Sequence, residues 1–181
     1  MGYYSSLMSR KFSDLIGSQY EQIRSDYCDF LLTEEELALS PIKNIIMPLD
    51  YTHEGLPQHL LTTLHLFTGA TIHLTYIIDT QIITRIERIL GSESADEYTR
   101  LKKEKAGEFL KIGTELLYDA GFSVQSSIVT GSKLDDCIRL ASDQDLVVLS
   151  KRYGTDTSVS KTLSPIALRI NREIGISILF Y

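Results

Sequence analysis

Cysteine is scarce in this chain. Cys28 and Cys137 are the two it has, and they lie far apart. One distant pair makes neither a disulfide framework nor a metal-ligating cluster, so the reducing cytoplasm is the expected compartment. Long apolar runs are missing as well: none approaches the ~20 residues of a membrane span. The opening stretch, MGYYSSLMSRKFSDL, has no long apolar core and no small-residue cleavage site, which speaks against a secretory leader. Excess positive charge is a third absence. The net charge of −6 disfavours nucleic acid or an anionic membrane as a partner. What remains is ordinary and globular. With 181 residues, 43% hydrophobic and 23% charged, the chain is large enough for one domain with a real core.

Residues 1–40 are patterned differently from the rest. Phe12, Leu15, Ile16, Tyr20, Ile23, Tyr27 and Phe30 recur at three- and four-residue steps, the apolar face of a helix. Thr33 and Glu36 form a capping-box pair for a second short helix ending near Ser40-Pro41. An apolar stripe must be buried, so this helical arm is expected to pack on the domain or on a second copy. A docking arm for another protein is the alternative. Met1-Gly2 with Ser6 also fits the short myristoylation pattern.

From residue 41 onward, strands and helices alternate. Asn44–Asp50 reads as a short apolar strand ending in a carboxylate. Thr52–Phe67 reads as a helix, with Pro57 obscuring its start. Thr71–Ile78 is β-branched and apolar, hence a buried strand. Gln81–Leu90 is a helical piece stopped by Gly91, and Ser94 with Glu97 caps a longer helix to Ala120. Phe122–Val129 alternates more and belongs nearer a sheet edge. Thr130-Gly131-Ser132 leads into a helix with Leu134, Cys137, Ile138 and Ala141 on its apolar side. Asp145–Leu149, a helix over Pro165–Arg172 and a strand over Ile176–Tyr181 complete the chain. This alternation predicts an open parallel sheet with right-handed crossovers and helices on both faces. The domain is read as residues 41–181, preceded by the arm at 1–40.

Signatures of catalysis are missing. His53, His59, His65 and His73 offer no His-x3-His zinc pair. His53-Glu54 opens like a metalloprotease helix, but Pro57 stands where the second His is needed. The chain has no Gly-x-Ser-x-Gly elbow and no Gly-x4-Gly-Lys-Ser/Thr loop. Cys137 lies on an apolar helix face and reads as a core thiol.

One junction does hold chemistry. Asp145–Pro165, DLVVLSKRYGTDTSVSKTLSP, reads as strand, polar loop and helix start, where open parallel sheets place phosphate or nucleotide ligands. Ser164 is a good N-cap and Pro165 a favourable first helical residue. Lys151, Arg152 and Lys161 offer charge; Thr155, Thr157, Ser158, Ser160 and Thr162 offer hydroxyls. The same hydroxyls, flanked by bases, also describe a phosphoacceptor segment. Each residue has a plainer reading too: solvated loop charges, a helix cap, a loop that is polar for solubility.

Ile45–Asp50, Leu74–Asp79, Val129-Thr130-Gly131 before a short helix, and Asp145–Leu149 before a long polar loop together resemble the universal stress protein family. The resemblance spans residues 42–181. It implies an α/β fold with five strands in the order 3-2-1-4-5, of the adenine-nucleotide alpha-hydrolase-like (HUP) type, and a homodimer. It would place Asp50 and Ile77 around a nucleoside, with ATP or AMP the possible ligand. The nucleotide-binding branch carries Gly-x2-Gly-x9-Gly-Ser/Thr after strand four, where bare backbone approaches phosphate. Here those positions fall on Ser150, Tyr153, Leu163 and Ser164, with Gly154 one place out. Side chains stand where the pattern wants none. The expectation is a non-catalytic regulatory or stress-associated dimer with weak or no nucleotide binding, whose candidate ligand residues are Asp50, Ile77, Ser150, Lys151, Arg152, Gly154, Lys161 and Ser164. Ile176, Ile178 and Phe180 are expected on an exposed edge strand that pairs with a second copy.

Overall fold

In the computed structural model, the sheet has five strands in the order β3-β2-β1-β4-β5, all neighbours parallel. The structure describes residues 41–50, 56–155 and 162–181. The expectations for the arm at 1–40 (with Cys28), for His53-Glu54, and for Thr157, Ser158, Ser160 and Lys161 lie outside the described residues.

The strands are β1 (Asn44–Leu49), β2 (Thr71–Asp79), β3 (Ser123–Gly131), β4 (Leu146–Leu149) and β5 (Ser177–Phe180). Their apolar runs are buried where the sheet is covered on both faces: β1 and β4 are buried almost throughout, as doubly covered parallel strands must be. β3, at one edge, is mostly exposed, which explains its polar alternation. At the start of β4, the Asp145 carboxylate accepts the N–H groups of Lys43 and Asn44 at 2.8 and 2.9 Å. These backbone donors, the first of them on Lys43, hold its pKa below the ordinary carboxylate value.

The helices are α1 (Gln58–Leu64), α2 (Thr80–Leu90), α3 (Ser92–Asp119), α4 (Asp135–Ala141) and α5 (Pro165–Glu173). Pro57 sits at the N-cap of α1, with extended ψ, so among the described residues the helix begins just beyond the proline. Gly91 separates α2 from α3 at φ +91°, a backbone that side chains rarely adopt. The capping expectation for Ser94 is corrected here. α3 already starts at Ser92, and the Ser94 hydroxyl donates back to the Leu90 carbonyl at 3.2 Å. The glycine turn redirects the chain, so no side-chain cap is required.

Two cores flank the sheet. One joins Leu60 and Leu64 of α1, and Ala106, Leu110 and Leu117 of α3, to the inner residues of β1 and β2. The other joins Cys137 and Ala141 of α4, and Ala167 and Ile170 of α5, to Ile46, Ile77, Val147 and Leu149. Each fully buried aliphatic side chain contributes about 1.5–3 kcal/mol of transfer free energy. The second core holds one unexpected member, Tyr153, from the loop after β4. Among the described residues no helix is long and apolar enough to cross a membrane.

Candidate functional site

β1 and β4 lie side by side, paired through Ile45–Leu146 and Ile46–Val147. From β1 the chain crosses to β2 on one side; from β4 it crosses to β5 on the other. Their carboxyl ends therefore border the crevice where the strand order reverses. Asp50 closes β1 and Ser150 closes β4, as the sequence pattern predicts.

Asp50 is fully buried. Lys133 reaches both of its oxygens, at 3.0 and 2.8 Å, and the Gly154 N–H donates to Oδ2 at 2.7 Å. Lys133 is the residue the sequence reading missed. It follows the Thr130-Gly131-Ser132 turn, and the crossover from β3 through α4 to β4 brings that turn above β1. No local pattern signals this role, which a lysine after a strand-end turn takes only through the crossover. The side chains of Lys133 and Asp50 are 10% and 0% exposed, so their attraction is little screened by water.

The loop after β4 folds back on itself. The Lys151 N–H donates to the Tyr181 carbonyl, and the Lys151 carbonyl accepts from the Ser164 N–H. The Ser150 hydroxyl accepts from the Arg152 N–H at 3.2 Å. The Ser164 hydroxyl accepts from the Ala167 N–H at 3.0 Å, capping α5 as expected, and donates to the Tyr153 carbonyl at 2.6 Å. Gly154 has φ +78°, and a Cβ there would meet Ile166 Cδ1 at 2.5 Å, so a larger residue at this position would be strained in its backbone and would push Ile166 aside.

Tyr153 is the centre of this knot. Its side chain is 0% exposed and packs in the same cluster as Ile77 and Leu149. Among the described residues its buried hydroxyl finds no hydrogen-bond partner. Lys133 Nζ lies 5.9 Å from the ring centroid. Burial first, and then the charges of Cys137 and Asp50, push the phenol well above its usual range. Tyr76 is also raised, by burial and then by Asp50. On the opposite side α3 brings Tyr98 and Lys102 close, with Lys102 Nζ 5.5 Å from the Tyr98 ring. Desolvation, then Lys133 and Lys105, lower the Lys102 pKa. Burial raises the Cys137 thiol to about 12, in keeping with a core residue.

The expected ligand residues thus divide. Asp50, Ser150, Arg152, Gly154 and Ser164 meet at the switch point, and Ile77 lies in the core that receives Tyr153. Lys151 is exposed, with only its backbone engaged in the loop bonds above. Arg152 is half-buried, and its buried Nε has no partner among the described residues. Beside this knot lies a cleft of about 270 Å³, lined by Asp79, Ser132, Lys133, Asp135, Ile166 and Arg169 among others. Ile178 and Phe180 lie on β5, an edge strand among the described residues, with Ile176 just before it, but all three are partly buried against the second core rather than exposed on the edge as expected.

No family model and no curated protein sequence matches the chain. Solved structures do. The hypothetical protein MJ0577, whose biochemical function was assigned from its structure, superposes with a TM-score of 0.62 at 20% identity, over 78% of this chain and 96% of that one. The hypothetical protein PH0823 gives 0.54 at 17% identity, over 76% and 94%. A universal stress protein family protein from Arabidopsis thaliana, solved with AMP bound, gives 0.51 at 14% identity, over 76% and 90%. The α/β unit of this chain has the universal stress protein fold, the HUP-type sheet that its residue pattern resembles.

Proposed function

We propose that this chain is a universal-stress-type protein of the cytoplasm: a non-catalytic, regulatory or stress-associated homodimer that binds nucleotide weakly or not at all. One observation carries the reading. The Tyr153 side chain is wholly buried among the strand ends, and Gly154 and Ser164 spend their hydrogen bonds on Asp50 and on Tyr153 itself. Groups that would have to meet a ligand already meet the protein. Titration calorimetry with ATP and AMP tests this. The expected result is no binding in the micromolar range. Micromolar binding that is abolished by Ser164→Ala combined with Lys151→Ala would overturn it.

A second reading, an ATP- or AMP-binding member using a non-glycine loop, draws support from the AMP-bound Arabidopsis neighbour. The same titration separates the two. The dimer is proposed from β5, an edge strand among the described residues, which carries the partly buried Ile178, Leu179 and Phe180. Sedimentation showing only monomer at tens of micromolar, roughly the range in which exposed edges associate, would remove that part. A protein-interaction role through residues 1–40 is tested by deleting them; unchanged dimer mass and unchanged partner capture would exclude it.

A further inference from the structure

α3 carries two apolar stripes, and the domain uses one of them. Ala106, Leu110 and Leu117 are buried in the first core. Leu101, Ile112 and Leu116 lie along a different line of the helix and are 43%, 54% and 39% exposed. Lys105 and Glu108 fall on that same line, also exposed. A helix that covers a sheet needs one apolar stripe. The second one has no use within the described residues of this chain.

We infer that this stripe is a docking surface for a second copy of the chain, with α3 lying antiparallel against the α3 of its symmetry mate. The inference deepens the homodimer reading above and places a contact on α3, separate from the β5 edge. The order of the charges carries it. Leu101-x3-Lys105-x2-Glu108-x3-Ile112 has the same spacing from either end, alternating steps of four and three as the seam of a helix pair does. A two-fold contact makes each pairing twice, once from each copy. With the axis midway between Lys105 and Glu108, Lys105 of each copy faces Glu108 of the other. Leu101 of each then faces Ile112 of the other, one apolar layer on either side of the charges. On the exposed margin, Glu104 comes beside Lys111. A parallel pair would instead set lysine on lysine and glutamate on glutamate, so the charges select the antiparallel one. Among the described residues Lys105 and Glu108 enter no ion pair, whereas Glu97, Arg100 and Glu104 already pair with one another. The seam, about 27 Å of helix from Tyr98 to Leu116, is short and has charges at its centre, which suits a weak, reversible contact.

Sedimentation of the full chain across tens to hundreds of micromolar tests this, with folding checked by circular dichroism. The unaltered chain is expected to associate reversibly. Lys105→Glu and Glu108→Lys each set like charges opposite one another twice over, and each should weaken association at least ~5-fold. Ile112→Lys removes both apolar layers and should weaken it by at least as much. Lys105→Glu combined with Glu108→Lys rebuilds the pairs with their signs exchanged, and should restore association to within about 2-fold of the unaltered chain. Should β5 pair as well, the single variants reduce a tetramer to a dimer, which supports the inference equally. Association unmoved by the single variants overturns it and leaves the homodimer reading standing, as does a double variant that associates no better than the single ones. A monomeric unaltered chain, the result if a different partner covers the stripe, overturns both.

Discussion

Replacing Lys133 by Met tests the chemistry of the switch point most directly. Met keeps most of the side chain's volume and removes its charge. Asp50 is then left buried, its carboxylate deprived of the bonds that Lys133 makes at 2.8 and 3.0 Å. Two effects compete. The lost attraction is offset in part because a lysine no longer has to be desolvated. The carboxylate keeps its own desolvation penalty and loses its countercharge, though it retains the Gly154 N–H at 2.7 Å. For buried pairs the second effect wins, and removing one partner costs about 3–5 kcal/mol. With a urea slope of about 2 kcal/mol per molar, the midpoint should fall by about 2 M. Adding Asp50→Leu removes the stranded charge. The double variant should recover much of the loss, short by the ~1–3 kcal/mol of an unpartnered Gly154 N–H. Urea unfolding followed by circular dichroism reads both. A loss below about 1 kcal/mol for Lys133→Met, or a double variant no more stable than the single one, would refute the idea of a dry, tightly coupled pair.

Four further outcomes are expected. Tyr153→Phe deletes an unpartnered buried hydroxyl and should stabilise the protein by about 1 kcal/mol in the same urea assay; destabilisation would mean that the hydroxyl finds a partner. Ser164→Ala removes both the α5 cap and the donor to the Tyr153 carbonyl, and should cost about 2–3 kcal/mol of unfolding free energy. Asp145 has a folded pKa below its unfolded value, so its contribution is complete above the ordinary carboxylate pKa and is lost as pH falls through the lower folded value; the gap in thermal midpoint between the unaltered protein and Asp145→Asn should therefore close as the solution is acidified below about pH 4. In a Cys28→Ser background, the Cys137 thiol, buried and raised to about 12, should resist Ellman's reagent at pH 8 until denaturant is added.

Much of the fold was legible in the residues. Each strand core was an apolar run bounded by turn residues, and the predicted strand boundaries fall within about two residues of the observed ones, whereas the helix read from Thr52 begins only at Gln58, beyond Pro57. The Ser94 cap misled because a Ser-x2-Glu pattern also occurs one turn inside a helix, where the hydroxyl bonds backward instead. Asp50, Ser150, Gly154 and Ser164 were legible as the residues of the crevice, because strand ends and a Ser-Pro helix start are local signals. Lys133 was not. Its role depends on a crossover that brings the end of an edge strand across to β1, and no local pattern encodes that approach.

The sequence alone determined the class of fold: alternating apolar runs and amphipathic helices bury enough surface only as a parallel sheet covered on both faces. It also showed side chains where a phosphate loop needs bare backbone. What those side chains do was decided by tertiary structure. Whether Tyr153 points to water or into the core depends on whether a cavity awaits it between β1, β4 and α5, and on whether Asp50 is free to take the Gly154 N–H. Those are distances between residues far apart in the chain. They exist only once the sheet has formed.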